Sequence, residues 1–165
     1  MEILNDFNTS VEKALSEIDK HWREYNGLVV CGTHSPFMVE RQLKKIRKAR
    51  EDGTPFLGIC FGHQLAAIEY ARNVLGIAGA TSTEFGYPED LQDVIVQRRP
   101  FLKVGLYDGE SWWNNYEVRP GFEDIWKKPE NFITVQYHPE YQSSKDKPHP
   151  ILVNFLTLCK KRHNI

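Results

Sequence analysis

An α/β fold built on a mostly parallel sheet is predicted by three features of this 165-residue chain. Leu28-Val29-Val30-Cys31 and the run from Pro55 to Ile59 are short and continuously apolar, as strands buried on both faces of a parallel sheet are. Apolar residues at helical spacing separate and follow them. The resulting strand–helix–strand–helix alternation calls for parallel strands joined by right-handed crossovers.

The elements follow in order. Val11, Leu15 and Ile18 recur at i, i+4 and i+7, which predicts a helix over Thr9 to Trp22, with Thr9 as cap and Glu12 completing a capping box. Val39, Leu43 and Ile46 mark a second helix, whose Lys44, Lys45, Arg47 and Lys48 form a solvated face. Asp52-Gly53-Thr54-Pro55 ends it and opens the next strand. Leu65, Ile68, Arg72 and Leu75 trace a third helix that stops at Gly76. From Gly86 to Lys128 the pattern changes to short β-like pieces, Val94-Ile95-Val96, Leu102-Lys103-Val104 and Trp112-Trp113, broken by Pro and Gly. These predict a small antiparallel β appendage with the two tryptophans in its core. Phe132 to Tyr137 returns a buried strand, and Ile151, Phe155 and Leu158 close the chain with a helix.

Composition bounds the function. The length fits one domain over residues 1–165, able to bury roughly two-thirds of its unfolded surface. A net charge of −1 gives no reason to expect nucleic acid or an anionic membrane as partner. Three widely spaced cysteines, Cys31, Cys60 and Cys159, fit free thiols in a reducing compartment better than a disulfide framework. No apolar run approaches the ~20 residues that span a bilayer, and no signal-peptide apolar region opens the chain. A cytoplasmic protein is expected.

The chemistry concentrates in two segments. Gly58-Ile59-Cys60-Phe61-Gly62-His63-Gln64 sets a cysteine between two glycines where a strand gives way to a helix. A thiol on such a turn is exposed and held by a constrained backbone, near helix-terminal N–H groups that favour a thiolate. The glycines are expected to allow unusual backbone angles and close substrate approach. Val135-Gln136-Tyr137-His138-Pro139-Glu140 places an imidazole and a carboxylate two residues apart after a strand, so that both point the same way. Cys60, His138 and Glu140 are the three parts of a nucleophilic triad. Alone, the first segment also fits a buried inert cysteine and the second a surface turn. Together, each past a strand's carboxyl end, they mark one site. The N–H of Phe61 is a natural oxyanion donor, and a second is expected from the loop Cys31-Gly32-Thr33-His34-Ser35-Pro36. His34 and His63 are read as loop or pocket-wall residues, His21, His149 and His163 as surface, and Glu69 and Arg72 as a salt-bridging face. No metal-ligand spacing is present.

With Ala67 to Gly76 and Ser82-Thr83-Glu84-Phe85, these motifs resemble the class I glutamine amidotransferases, in particular the glutaminase domain of CTP synthase and its stand-alone relatives. The resemblance runs from Gly27 to Phe85 and again from Tyr116 to Phe155. It implies a three-layer, flavodoxin-like sandwich and hydrolysis of L-glutamine to glutamate and ammonia, without cofactor or metal. It places Cys60 as nucleophile, His138 as proton shuttle, Glu140 as its orienter, and Gly32 with Phe61 as oxyanion hole. Gln64, Glu84, Thr33 and Tyr137 fall at substrate-binding positions, Glu84 being suited to the substrate ammonium. The chain departs from CTP synthases in having Gly32-Thr33-His34-Ser35 for a Gly-Gly-Phe-Gly loop, and Asn115 for an arginine before Tyr116-Glu117. No P-loop motif occurs in the sequence, so the expected ammonia acceptor is a separate ATP-dependent synthetase. The expected glutaminase activity is slow until that synthetase docks and organises the Gly32 to Pro36 loop. Two rival readings are a hydrolase of γ-glutamyl amides that needs no partner, and a weakly active regulatory scaffold.

Overall fold

The computed structural model describes residues 1–33, 38–82, 94–107, 110–118 and 130–165, with the backbone alone over 94–107 and 110–118. In chain order the elements are β1 (Glu2–Leu4), α1 (Asn8–Ile18), β2 (Leu28–Val30), α2 (Val39–Asp52), β3 (Phe56–Ile59), α3 (Phe61–Asn73), β4 (Thr81–Ser82), β5 (Val94–Tyr107), β6 (Glu110–Val118), β7 (Phe132–Val135) and α4 (Pro150–His163). Strands β1, β2, β3 and β7 form one sheet in that order, with every neighbouring pair parallel. The register sets Val30 beside Gly58 and Gly58 beside Thr134. Cys31, Cys60 and Gln136, the residues just past three strands, therefore share the carboxyl edge, where open α/β sheets hold their ligands.

The pleat divides the strands between two cores. Leu28, Val30, Phe56 and Phe132 pack with Leu43 and Ile46 of α2 and with Leu65 and Ile68 of α3. The alternate residues Val29, Cys31, Leu57 and Ile59 pack with Val11 and Leu15 of α1 and with Leu152, Phe155 and Cys159 of α4. Alternation along each strand thus produces three layers, as expected. The appendage is a β5–β6 antiparallel hairpin, extended by β4, which joins β5 in parallel rather than antiparallel. The side chains of Trp112 and Trp113, expected in its core, lie outside the described residues.

Several elements differ from the sequence reading. β1 was not foreseen; three residues on a sheet edge leave little pattern. α1 begins at Asn8, with Phe7 rather than Thr9 at the cap position and no side-chain cap bond. Phe7 is fixed there because its N–H donates to the Gly32 carbonyl at 3.3 Å. The helix ends at Ile18, not Trp22, because Asp19 is extended and its carboxylate takes up His21 N–H and the Tyr25 hydroxyl at 2.9 and 2.7 Å. α3 ends at Asn73, and Leu75 is exposed. Gly53, by contrast, ends α2 in the left-handed conformation (φ 79°) that its sequence position called for.

Helices α2 and α3 are clamped by a buried ion pair. Arg50 donates through Nε and Nη2 to the fully buried Glu69 at 2.9 and 2.8 Å, and Asn73 Nδ2 adds a bond at 3.2 Å. Arg72 joins Ala80 O and Glu40 at 2.8 Å each. Both residues therefore serve packing, as their helix positions implied. Arg50→Met strands the Glu69 charge and is expected to cost about 3–5 kcal/mol, whereas Arg50→Met with Glu69→Leu regains most of it. Urea unfolding of the two variants checks this.

Candidate active site

The elbow after β3 owes its shape to close packing. A Cβ on Gly62 would lie 1.9 Å from the Val30 carbonyl oxygen, and one on Gly58 would lie 2.9 Å from the Gly62 carbonyl. The glycines let the first turn of α3 rest directly on β2 and β3. Neither carries a positive φ; that falls on Cys60 itself, at φ 55° and ψ −100°. The expectation that the glycines supply the unusual angles is corrected accordingly: they supply contact, and the cysteine takes the strain, on the order of 1–3 kcal/mol. Cys60 N–H donates to Val135 O at 2.8 Å, so the elbow is tied to β7 at the strand from which the histidine follows.

After β7 the chain runs to His138 and then turns through a 3₁₀ helix, Pro139–Gln142. That turn, rather than extended chain, brings Glu140 beside the imidazole. His138 Nδ1 and Glu140 Oε1 are 2.7 Å apart, and Glu140 is buried. The other side of the ring meets the Cys60 side chain in a hydrogen bond. Phe7 meets the imidazole edge-on at 5.6 Å between centroids, and Tyr141 stacks on it at 5.0 Å. Burial alone lowers the His138 imidazolium, but the hydrogen bonds and negative charge of Cys60 and Glu140 outweigh it and push its pKa up to about 10.

The other site residues fall as follows. Gly32 is buried beside the imidazole: a Cβ there would be 3.0 Å from His138 Cε1. Thr33 follows it, half-buried. Phe61 opens α3, in the turn whose amides have no acceptor within a helix. Gln64 is buried one turn later, and its Oε1 has no partner among the described residues. The Tyr137 ring lies 5.9 Å from that of His149. Glu84, His34 and Asn115 fall outside the residues whose side chains are described. His63 is buried in α3, while His21 and His163 are exposed. His149, expected at the surface, is 1% exposed because its Nδ1 caps α4, accepting from Ile151 N at 3.1 Å.

Gln136 was not foreseen. It is buried, and its Nε2 donates to Cys60 Sγ at 3.6 Å. The signal was available: Gln136 stands two residues before His138, at the spacing that singled out Glu140.

Residues 5–158 match the family described as glutamine amidotransferase class-I. The chain belongs to this family. CTP synthase of Thermomicrobium roseum is 33% identical over 93% of the chain, and that of Sulfolobus acidocaldarius 34% identical over 92%. The chain spans 36% and 37% of these relatives, little more than a third of their length. Among solved structures, the glutaminase domain of Trypanosoma brucei CTPS with bound acivicin superposes with a TM-score of 0.75, covering 98% of this chain and 94% of that one. At 20% identity that likeness is one of fold. As an amidotransferase, the chain has the parallel sheet and the strand-to-helix elbow where its sequence placed them. Among the described residues no helix is long and apolar enough to cross a membrane.

The three thiols sit in different surroundings. Burial pushes Cys31 and Cys159 up to about 12, whereas Cys60 is half-buried at the elbow. Iodoacetamide at neutral pH is expected to modify Cys60 alone in the folded chain, as read by peptide mass mapping. Modification of Cys31 or Cys159 at a similar rate contradicts the burial described above.

His138 also makes stability depend on pH. Its folded pKa lies above the ordinary value of 6.5, so the folded state binds its proton more tightly. The stabilisation is fully present below about 6.5 and is lost as pH rises toward about 10. Glu140→Gln removes the charge that holds the proton and is expected to flatten the fall in Tm over that range.

Proposed function

We propose that this chain hydrolyses L-glutamine to glutamate and ammonia through Cys60, His138 and Glu140. The observation that carries this reading is the imidazole of His138, bonded on one side to Glu140 at 2.7 Å and on the other to Cys60. With its pKa raised to about 10, that imidazole is protonated at neutral pH and paired with the sulfur, which is the state a cysteine nucleophile requires.

In the proposed reaction Cys60 Sγ bonds to the carboxamide carbon, and the carbonyl electron pair moves onto oxygen. The N–H groups of Phe61 and Gly32 receive that oxyanion. His138 passes its proton to the nitrogen, the C–N bond breaks and ammonia leaves a thioester on Cys60. Water then attacks the thioester, giving its proton to His138, and glutamate departs with the thiolate restored. Glu140 keeps Nδ1 protonated throughout, and the Gln136 amide steadies the sulfur. Gln64 and Thr33, with Glu84 and Tyr137, are the proposed contacts for the amino-acid end of the substrate.

Ammonia is mostly protonated, and so non-nucleophilic, at neutral pH. We assign its use to a separate ATP-dependent synthetase that aminates a nucleotide base. The CTP synthase relatives support an acceptor of this kind. No cofactor, nucleic acid or membrane enters the reaction, and a cytoplasmic location suits its substrates.

Cys60→Ala and Cys60→Ser are expected to abolish glutamate release while the far-ultraviolet circular dichroism stays that of the unaltered chain. For the unaltered chain, slow release is expected to rise at least about tenfold with a CTP synthase amidation domain, ATP and UTP, a barrier change of ~1.4 kcal/mol. Residual activity in both Cys60 variants removes the cysteine from the mechanism. A rate indifferent to the synthetase favours an independent hydrolase.

A further inference from the structure

Asn5 ends β1 at φ 81°, in the left-handed region that asparagine tolerates better than most residues. Its side chain is fully engaged. Nδ2 donates to the Cys31 carbonyl at 3.0 Å and to Gln42 Oε1 at 2.9 Å, while Oδ1 accepts from Gln42 Nε2 at 2.8 Å. Two primary amides thus face each other head to tail, and Gln42, on the first turns of α2, is 6% exposed. Amides paired head to tail fix each other's orientation, and parting them costs the buried Gln42 amide two hydrogen bonds.

The bond to Cys31 matters because of what lies on the other side of that peptide. A peptide unit is planar and trans, so the N–H of Gly32 points opposite to the C=O of Cys31. Holding the carbonyl holds the direction of the N–H. The next peptide is tied as well, through Phe7 N–H to the Gly32 carbonyl at 3.3 Å. Gly32 itself sits against the imidazole, within 3.0 Å of His138 Cε1 for an added Cβ. Neither Asn5 nor Gln42 touches Cys60, His138 or Glu140 by any bond described above.

We propose that Asn5, braced by Gln42, is a positioning residue that aims the Gly32 N–H at the oxyanion formed when Cys60 attacks. The inference rests on the glutaminase reading. It makes the Asn5–Gln42 amide pair, rather than the β1–α2 contact as a whole, part of the catalytic apparatus.

Three variants separate aim from fold. Asn5→Gly keeps a backbone at ease with positive φ and deletes the amide. Asn5→Asp keeps an acceptor for Gln42 but sets a carboxylate oxygen against the Cys31 carbonyl. Gln42→Leu removes the brace and preserves bulk. Lys45→Ala, which breaks the Lys45–Glu2 ion pair between α2 and β1, serves as control. For Asn5→Gly and Asn5→Asp the expected result is a fall in kcat for glutamate release of roughly tenfold to a hundredfold, with KM nearly unchanged. Gln42→Leu falls less, and Lys45→Ala keeps the unaltered kcat. Alkylation of Cys60 by iodoacetamide, which forms no oxyanion, keeps its rate in all four. Unaltered kcat in both Asn5 variants overturns the inference. So does a kcat loss matched by equal losses in Cys60 alkylation and Tm, which marks a merely structural role. An unaltered chain that neither releases glutamate nor takes alkylation at Cys60 overturns the glutaminase reading itself, and the inference with it.

Discussion

The contact between Gly62 and the Val30 carbonyl governs the rest of the site. Because a Cβ would come within 1.9 Å of that oxygen, the start of α3 can lie where it does only with no side chain at position 62. With α3 seated so low on β2, the single residue between strand and helix must turn sharply, and Cys60 adopts φ 55°. The strain is offset by what surrounds it: the Cys60 N–H bond to Val135 on one side and a buried first turn of α3 on the other. A half-buried, oriented sulfur is therefore a consequence of helix–sheet packing.

Electrostatics then distinguishes this thiol from the other two. Cys31 lies one residue past β2 and donates to Leu4 O at 2.7 Å, and Cys159 lies under Gly27; burial holds both as thiols. Cys60 instead meets an imidazole whose second nitrogen is held by a buried carboxylate. Glu140 is costly to bury, and its Oε2 has no partner among the described residues, so its retention is better explained by its hold on His138 than by stability. The same carboxylate adds to the rise of the Cys31 pKa, so a single buried charge holds the imidazole beside one cysteine and helps keep another protonated.

How much of this could be read from the sequence depended on the range of each interaction. Cys60 between its glycines, and His138 two residues from Glu140, are local patterns, and the sheet edge they share follows from strand–helix alternation. The layers followed from the same alternation. What escaped was set by distant partners. Asn5 and Gln42 are 37 residues apart, and nothing in either neighbourhood announces the pair. His149 looked like a surface histidine because a ring nitrogen capping a helix has no sequence signature of its own. The glycines at 58 and 62 were correctly noticed, but their contacts with a carbonyl and a neighbouring turn belong to three-dimensional packing that a turn motif does not encode. Gln136 is the exception, since its spacing from His138 was in plain view.

One short segment ties these features together. Asn5 bonds the Cys31 carbonyl, Phe7 bonds the Gly32 carbonyl and lays its ring against His138, and Ser10 hydrogen-bonds Tyr141, which stacks on the other part of that ring. Residues 5 to 10 thus reach both the proposed oxyanion donor and the proposed general base. They follow a three-residue strand at the sheet edge, where fewer contacts oppose local opening than at the centre. Cys60, by contrast, follows the central strand β3 and precedes the buried helix α3. The elbow that carries Cys60 is consequently the rigid half of the site, and the bracket that aims the groups around it is the half more easily shifted. A synthetase that tightened the β1–α1 junction would improve the aim of Gly32 without moving Cys60 or the imidazole paired with it. That division offers a physical route by which a docking partner can raise turnover while leaving thiol reactivity the same.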